Sequence, residues 1–270
     1  MASVPGTIVL GLDIPADRLA YISAKCGLPA WLPDEFAEAW WPAQDDVVGD
    51  AVGRGIVLFG EKRIHDDRLW KISHAAWIET TDMSDDMIVM LVRRACENTV
   101  FAFLTTTTVN QVALASYLLS SIDSICTENK DIFIGDCVEG QKIGIPPDVR
   151  YDIELALHEA ISNAVLHGNL QIDGIKGLSI DALEYFAQNL DARIRDPDFA
   201  LRRVEISGVL ANNSLTIKVV DQGKGFASKA PTVSALEKSA SGRGLELIRS
   251  IAQSCELLDG GRCIRMRFAL

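Results

Sequence analysis

Hydrophobic and polar positions change period several times along the chain, and each change marks an element. TIVLGLD (Thr7 to Asp13) is an unbroken apolar run suited to a strand buried on both faces, and ADRLAYISAKCG (Ala16 to Gly27) switches to helical spacing closed by a glycine. GIVLFG (Gly55 to Gly60) predicts a strand, DDRLWKISHAAW (Asp66 to Trp77) a helix, and AWIETTD (Ala76 to Asp82) another short strand. MSDDMIVMLVRRACEN (Met83 to Asn98) reads as a helix and VFAFLT (Val100 to Thr105) as a strand. Strands alternating with helices predict βαβ units around a parallel sheet. VNQVALASYLLSSIDSICTENK (Val109 to Lys130), apolar on one side and free of Gly and Pro, predicts one helix that closes this region.

Beyond residue 130 the pattern is different. IFIGDCV (Ile132 to Val138) and QKIGIPP (Gln141 to Pro147) are short strand candidates. Pro146, Pro147 and Asp148 open a helix running from Val149 to His167, since Pro suits a first turn and Asp can cap it. SIDALEYFAQNLDARI (Ser179 to Ile194) is an amphipathic helix capped by Ser179. Two alternating strands flank Asn212-Asn213 within Arg202 to Gly223, and the device recurs around Gly260-Gly261 near the C-terminus. All five tryptophans (Trp31, Trp40, Trp41, Trp70, Trp77) precede residue 78, whereas the glycine-punctuated motifs lie beyond residue 150. We therefore expect two domains, 1–130 and 131–270, the second interrupted by a helical segment at about 170–203.

Composition narrows the classes. With 270 residues, 48% hydrophobic and 23% charged, the chain has material for a full core. Lys plus Arg is 26 against 37 Asp plus Glu, a formal net charge of −11, which repels a phosphate backbone and anionic lipid. Neither nucleic acid nor membrane is the expected partner. The six cysteines (Cys26, Cys96, Cys126, Cys137, Cys255, Cys263) show no CxxC pair and no metal-ligand spacing, so they read as thiols in a reducing compartment. No basic segment precedes the first apolar run and no stretch approaches a membrane span, so the expected location is cytoplasmic.

Three motifs carry the chemistry. In ELALHEAISNAVLHGN (Glu154 to Asn169), Glu159, Asn163 and His167 follow one another at intervals of four, which strings a carboxylate, a carboxamide and an imidazole along one helical stripe. Such a stripe is commonly a solvated face, but the flanking Ala156, Leu157, Ala160, Ile161, Ala164 and Val165 place this helix against a core. In VVDQGKGF (Val219 to Phe226) a strand ends in Asp221, whose carboxylate can accept from an exocyclic amine, while Gly223 and Gly225 let the backbone approach a flat ring or a phosphate. In SGRGLELIRSIAQ (Ser241 to Gln253) a glycine-rich turn opens a helix whose free N–H groups, with Arg243, suit an anion. Taken singly, the second and third motifs are equally consistent with an ordinary strand exit and a helix start.

Their order, a helix with E-x3-N, a hairpin ending in DxGxGF, then GRGLxLI opening a helix before a last hairpin, resembles the Bergerat-fold ATPases of the GHKL superfamily over residues 131 to 270. HEAISNAVLHGN and SGRGLELIRSIA are most similar to the branch of anti-sigma-factor serine kinases and histidine-kinase-like ATPases. The resemblance implies an α/β sandwich, a mixed sheet with helices on one face, that binds ATP or ADP with Mg²⁺. Glu159 would orient or deprotonate the attacking hydroxyl or water, and Asn163 would be the Mg²⁺ ligand. Asp221 would read the adenine amine, Gly223 and Gly225 would line the base pocket, and Gly242, Arg243 and Gly244 would lie at the phosphate end, under a lid from about Ala227 to Ser241. His167 and Asn169 would either contact nucleotide or close the helix. The segment Leu170 to Val204 exceeds the short connection of a minimal kinase of this branch, and its helix either covers the sheet edge or docks a partner.

The first half weakly resembles a response-regulator receiver, a doubly wound parallel sheet. TIVLGLDIP stands at the acidic first loop, with Asp13 alone of the acidic pair; Gly60 or Glu61 stands at the phosphoacceptor; Thr80 and Thr81 stand near the hydroxyl switch; FAFLTTTT lacks the expected lysine. This implies a degenerate receiver that is not phosphorylated and instead binds a protein or dimerises, with Trp40-Trp41 as either interface or core. The whole then reads as a signalling regulator that phosphorylates or sequesters a regulatory protein: a sigma factor, an anti-sigma antagonist or another two-component protein. Two alternatives remain: the ATP-binding part of a histidine kinase, for which no phosphoacceptor His precedes the ATPase on a helical hairpin, and a non-catalytic, nucleotide-gated binding module.

Overall fold

A computed structural model describes residues 7–32, 54–60, 67–70, 75–128, 145–174, 179–225 and 243–270. The Trp40-Trp41 segment, Glu61, the strand candidates at 132–138 and 141–144, the lid and Gly242 lie outside the described residues. The first apolar runs form β1 (Thr7–Leu12), β3 (Arg54–Phe59) and β5 (Val100–Thr105), with a two-residue β2 (Ala30–Trp31) and β4 (Ala75–Glu79). Between them lie α1 (Ala16–Cys26), α2 (Asp67–Trp70) and α3 (Asp85–Cys96). Gly27 ends α1 in the left-handed region at φ 68°, and the Ser84 side chain caps α3 by accepting from Met87 N.

These five strands are parallel in the order β2-β1-β3-β4-β5, a doubly wound arrangement. β1, β3, β4 and β5 have both faces buried, and the two-residue edge strand β2 is half-buried. Val9, Ile56, Leu58, Ala76, Ile78 and Phe101 pack under α1 and α3, while Leu10, Val57, Phe59, Trp77 and Leu104 face the opposite core. Successive side chains of a strand alternate faces, so an unbroken apolar run is what two covered faces require.

Two expected helices differ. The helix expected over Asp66–Trp77 is observed only at Asp67–Trp70, because Ala75, Ala76 and Trp77 occupy the slot between β3 and β5, fully buried. The single helix expected over Val109–Lys130 is two, α4 (Thr106–Gln111) and α5 (Leu114–Glu128), broken where Val112 is extended at φ −120°, ψ 139°. Thr105 starts α4 early by accepting from Thr108 N through its side chain.

The rest of the sheet is antiparallel: β6 (Arg203–Ala211), β7 (Ser214–Val220), β8 (Ser254–Leu258) and β9 (Cys263–Ala269), in the order β6-β7-β9-β8. Asn212 and Asn213, both at positive φ, turn β6 into β7. β6 also pairs antiparallel with β5, so nine strands form one mixed α/β sheet. Here one face is covered. Ile206, Ile217, Val219 and Met266 lie under α6 (Pro147–Asn163) and α9 (Arg243–Ile251), whereas Val209, Lys218 and Arg267 are exposed on the other side. One core beneath the sheet therefore runs from Trp77 to Met266.

Two further helices, α7 (Ile180–Arg195), capped by Ser179, and α8 (Pro197–Ala200), lie in the insertion; α7 has no buried residue, but Phe186, Leu190 and Ile194 rest against the core. No helix among the described residues is long and apolar enough to cross a membrane. The four cysteines described with their surroundings, Cys26, Cys96, Cys255 and Cys263, are free, and burial pushes each thiol above its ordinary pKa.

Candidate functional site

The site is strung along α6 and the turn that follows it. Pro147 starts α6; the cap position is Pro146, with no side-chain cap, and Asp148 lies within the first turn rather than capping it. Ile153, Ala156, Leu157 and Ala160 bury one face of the helix and turn Glu159 and Asn163 to its half-buried flank. Asn163 Nδ2 donates to Glu159 Oε1 at 3.2 Å. The amide carbonyl oxygen of Asn163 is then left without a hydrogen-bond partner among the described residues, a hard donor suited to a divalent cation.

Opposite this pair stands the N-terminus of α9. The Glu159 carboxylate lies where a side chain on Gly244 would begin, so a residue larger than glycine there would push the carboxylate out of this place. A carboxylate at a helix N-terminus is favoured by the dipole and the free N–H groups. Arg243, the first residue of α9, is exposed beside it. Glu159, Asn163, Arg243 and Gly244 are thus brought together from segments far apart in the chain.

The helix does not continue as α past Asn163. Residues Ala164–Asn169 form a π turn, with Leu170 N donating to Val165 O at 2.8 Å. The i→i+5 winding is wider than an α turn, so an interval of four no longer aligns His167 with Asn163. His167 Nδ1 instead lies 2.7 Å from Ile172 O, closing the following loop. The π turn delivers Gly168 to Asp221. A Cβ on Gly168 would sit 2.6 and 2.7 Å from the two carboxylate oxygens, and one on Gly223 would strike the Gly168 backbone.

Asp221 stands at the end of β7, where its N–H donates to Arg262 O at 2.9 Å and its Oδ1 accepts from Gly223 N at 2.7 Å. Burial pushes its carboxyl above the ordinary value; the Gly223 N–H, Arg262 and Arg202 oppose that shift. Gly225 follows at φ 73°. A half-buried carboxylate on a glycine floor can accept from an amine on a flat ring.

Residues 136–268 match the histidine kinase-like ATPase domain family. The match supports a GHKL-like ATPase module, and with it nucleotide binding, for this part of the chain. No curated protein matches the chain in a sequence comparison. Within the matched residues, Glu159 and Asn163 form one cluster with Gly244, and Asp221 and Gly223 form another with Gly168.

Sequence reasoning passed over Gly168 and Gln222, and read Asn169 only as a nucleotide contact or the close of the helix. Gly168 is visible only as the middle of His-Gly-Asn. Gln222 accepts Arg203 N at its Oε1, 2.7 Å, and Asn169, fully buried, donates to Thr106 Oγ1 and Arg203 O while accepting Gln222 N. An Asn at the end of an apolar helix was the available signal, since a buried carboxamide must find partners for all its polar atoms.

Proposed function

We propose that this chain is a cytoplasmic signalling regulator that binds Mg-ATP in its C-terminal half and phosphorylates, or sequesters, a regulatory protein in the manner of anti-sigma-factor serine kinases. The observation that carries the reading is the Glu159 carboxylate held between Asn163 Nδ2 and the first turn of α9. The residues fit the ligand. Asn163 presents its carbonyl oxygen for the cation, Arg243 and the α9 N-terminus face the phosphates, and Asp221 accepts from the adenine amine with Gly223 and Gly225 beneath the ring. Mg-ATP, when bound, supplies the phosphoryl group and the neutralising charge, so positioning is the protein's main contribution. Glu159 then orients the attacking hydroxyl of a protein substrate and takes its proton.

The same proposal treats the chain as two functional units and the parallel one as receiver-like. The strand order supports this, as does Asp13 at the end of β1, whose Oδ2 lies 3.3 Å from where a Gly60 side chain would begin. Gly60 or Glu61 stands at the phosphoacceptor position after β3, and Thr105 ends β5 with Thr106 after it, where a lysine is required. Such an edge accepts no phosphoryl group and serves a protein partner, either the regulator's target or a second copy of the chain.

Calorimetric titration of ATP and ADP into the purified protein, with and without Mg²⁺, followed by phosphate release on the same sample, tests the reading. Mg²⁺-dependent binding with slow hydrolysis is the expected result, and no binding at millimolar nucleotide would overturn it.

A further inference from the structure

We infer that Asn169 is a positioning residue that presets the Asp221 loop for the base, and that Thr106 of the parallel half holds Asn169 in place, so the base pocket is completed from the first half of the chain. The inference rests on the reading of Asp221 as the group that recognises the base.

The Asn169 side chain is 0% exposed and its hydrogen bonds run to three separate elements. Nδ2 donates to Thr106 Oγ1 at 2.9 Å and to Arg203 O at 3.1 Å, and Oδ1 accepts from Gln222 N at 2.7 Å. Gln222 directly follows Asp221, and Gly168, directly before Asn169, touches the Asp221 carboxylate. The loop is therefore gripped at two successive residues by two successive residues of the π turn.

Thr106 has no freedom to let go. Its hydroxyl donates to Arg202 O at 2.9 Å, which leaves an oxygen lone pair for Asn169, and its backbone N donates to the same carbonyl at 2.8 Å. Thr106 itself is fully buried as the first residue of α4, directly after the β5 residue that pairs with Arg203. Arg203 extends the linkage: its Nη1 donates to Glu79 O at 3.1 Å and its Nη2 to Thr81 O, both at the end of β4. An unbroken run of hydrogen bonds thus connects the ends of β4 and β5 to the residue after Asp221. A buried carboxamide is costly unless every polar atom is matched, and when matched it specifies one geometry. An apolar side chain would fill the same space without fixing Gln222 N.

The test uses the full chain titrated with ATP, GTP and inorganic tripolyphosphate. Guanine presents a carbonyl where adenine presents its amine, so a correctly placed Asp221 prefers ATP, and Asp221→Asn should erase that preference. Thr106→Val, which keeps the shape and removes the hydroxyl, should weaken ATP about tenfold while leaving GTP and tripolyphosphate within about twofold. Thr106→Ser should retain the wild-type preference. If the Val variant does not fold, Thr106→Ala gives the same readout without crowding. An undiminished ATP-to-GTP ratio in the hydroxyl-less variant, or an equal loss for all three ligands, overturns the role of Thr106 and Asn169. A wild type without ATP preference, or an Asp221→Asn variant that keeps it, instead overturns the reading of Asp221 and this inference with it.

Discussion

Two carboxylates, Glu79 fully buried in the parallel half and Glu159 half-buried over the antiparallel half, show how surroundings decide what an acidic residue can do. Glu79 ends β4 in the parallel half, 1% exposed, and accepts from Thr105 N at 2.8 Å, from the Thr105 hydroxyl and from the Thr108 hydroxyl at 2.8 Å, with Arg203 Nη1 at 3.8 Å. Its lone pairs are spent. Glu159 in the antiparallel half has Asn163 at 3.2 Å and the N-terminus of α9 against it at Gly244, and remains half-buried. A saturated carboxylate fastens elements together, and an unsaturated one beside a free amide oxygen is available to ligand and proton. The halves differ in the same way at larger scale. The parallel strands β1, β3, β4 and β5 have both faces covered, whereas the antiparallel strands keep one face open and carry the candidate nucleotide site at the end of their covered side.

The sharpest break of this comparison is to make one substitution in both places. Glu159→Gln should cut phosphoryl transfer or hydrolysis by about 10²- to 10⁴-fold while ATP titration still shows binding. Asn163→Ala should instead remove the Mg²⁺-dependent part of binding, about 100-fold in affinity. Next in size is the core that the halves share. Trp77→Ala leaves a cavity where Trp77 packs near Trp70, their ring centroids 5.9 Å apart, and removes the Nε1 bond to Leu69 O. It should cost about 3–5 kcal/mol in denaturant unfolding, and far-ultraviolet and nucleotide-binding probes should shift together because one core underlies both. Glu79→Gln should lose about 1–3 kcal/mol of stability by turning donors against donors, with turnover per folded molecule unchanged.

The smallest expected effect sharpens the contrast from the other side. Burial raises the Asp221 carboxyl above the ordinary 3.8, so the folded state holds this proton more tightly than the unfolded chain does. Stability is therefore lost as pH rises through the interval between the two values. Asp221→Asn, which keeps an acceptor for Gly223 N, should raise the melting temperature by about 2 °C near neutral pH and have no such effect below the ordinary carboxyl value. An unchanged or lower melting temperature at neutral pH would show that this charge is not stored at a cost.

Much of this was legible because it is local. The apolar runs of β1, β3 and β5, the Gly27 terminus of α1, the Ser179 cap and the Asn212-Asn213 turn are each specified by a few adjacent residues. Glu159 and Asn163 were legible for the same reason, four apart on one helix. His167 was not, because the π turn intervenes, and nothing in Ala164–Asn169 announces a change of winding. The short α2 and the early β4 were hidden because Ala75–Trp77 has helical spacing but takes the strand slot that two neighbours offer. Val112 breaks a helix without a Gly or Pro, so that break carried no signal either.

By itself, then, the chain's sequence determined the period of each element, the order of the elements and the residue types at the candidate site. Tertiary structure alone decided that the two halves share one sheet, that Gly168 rather than His167 meets Asp221, and that Asn169 reaches Thr106. The β5–β6 ladder that joins the halves is built from backbone N–H and C=O groups, which every residue but proline carries alike and which leave no mark in the sequence.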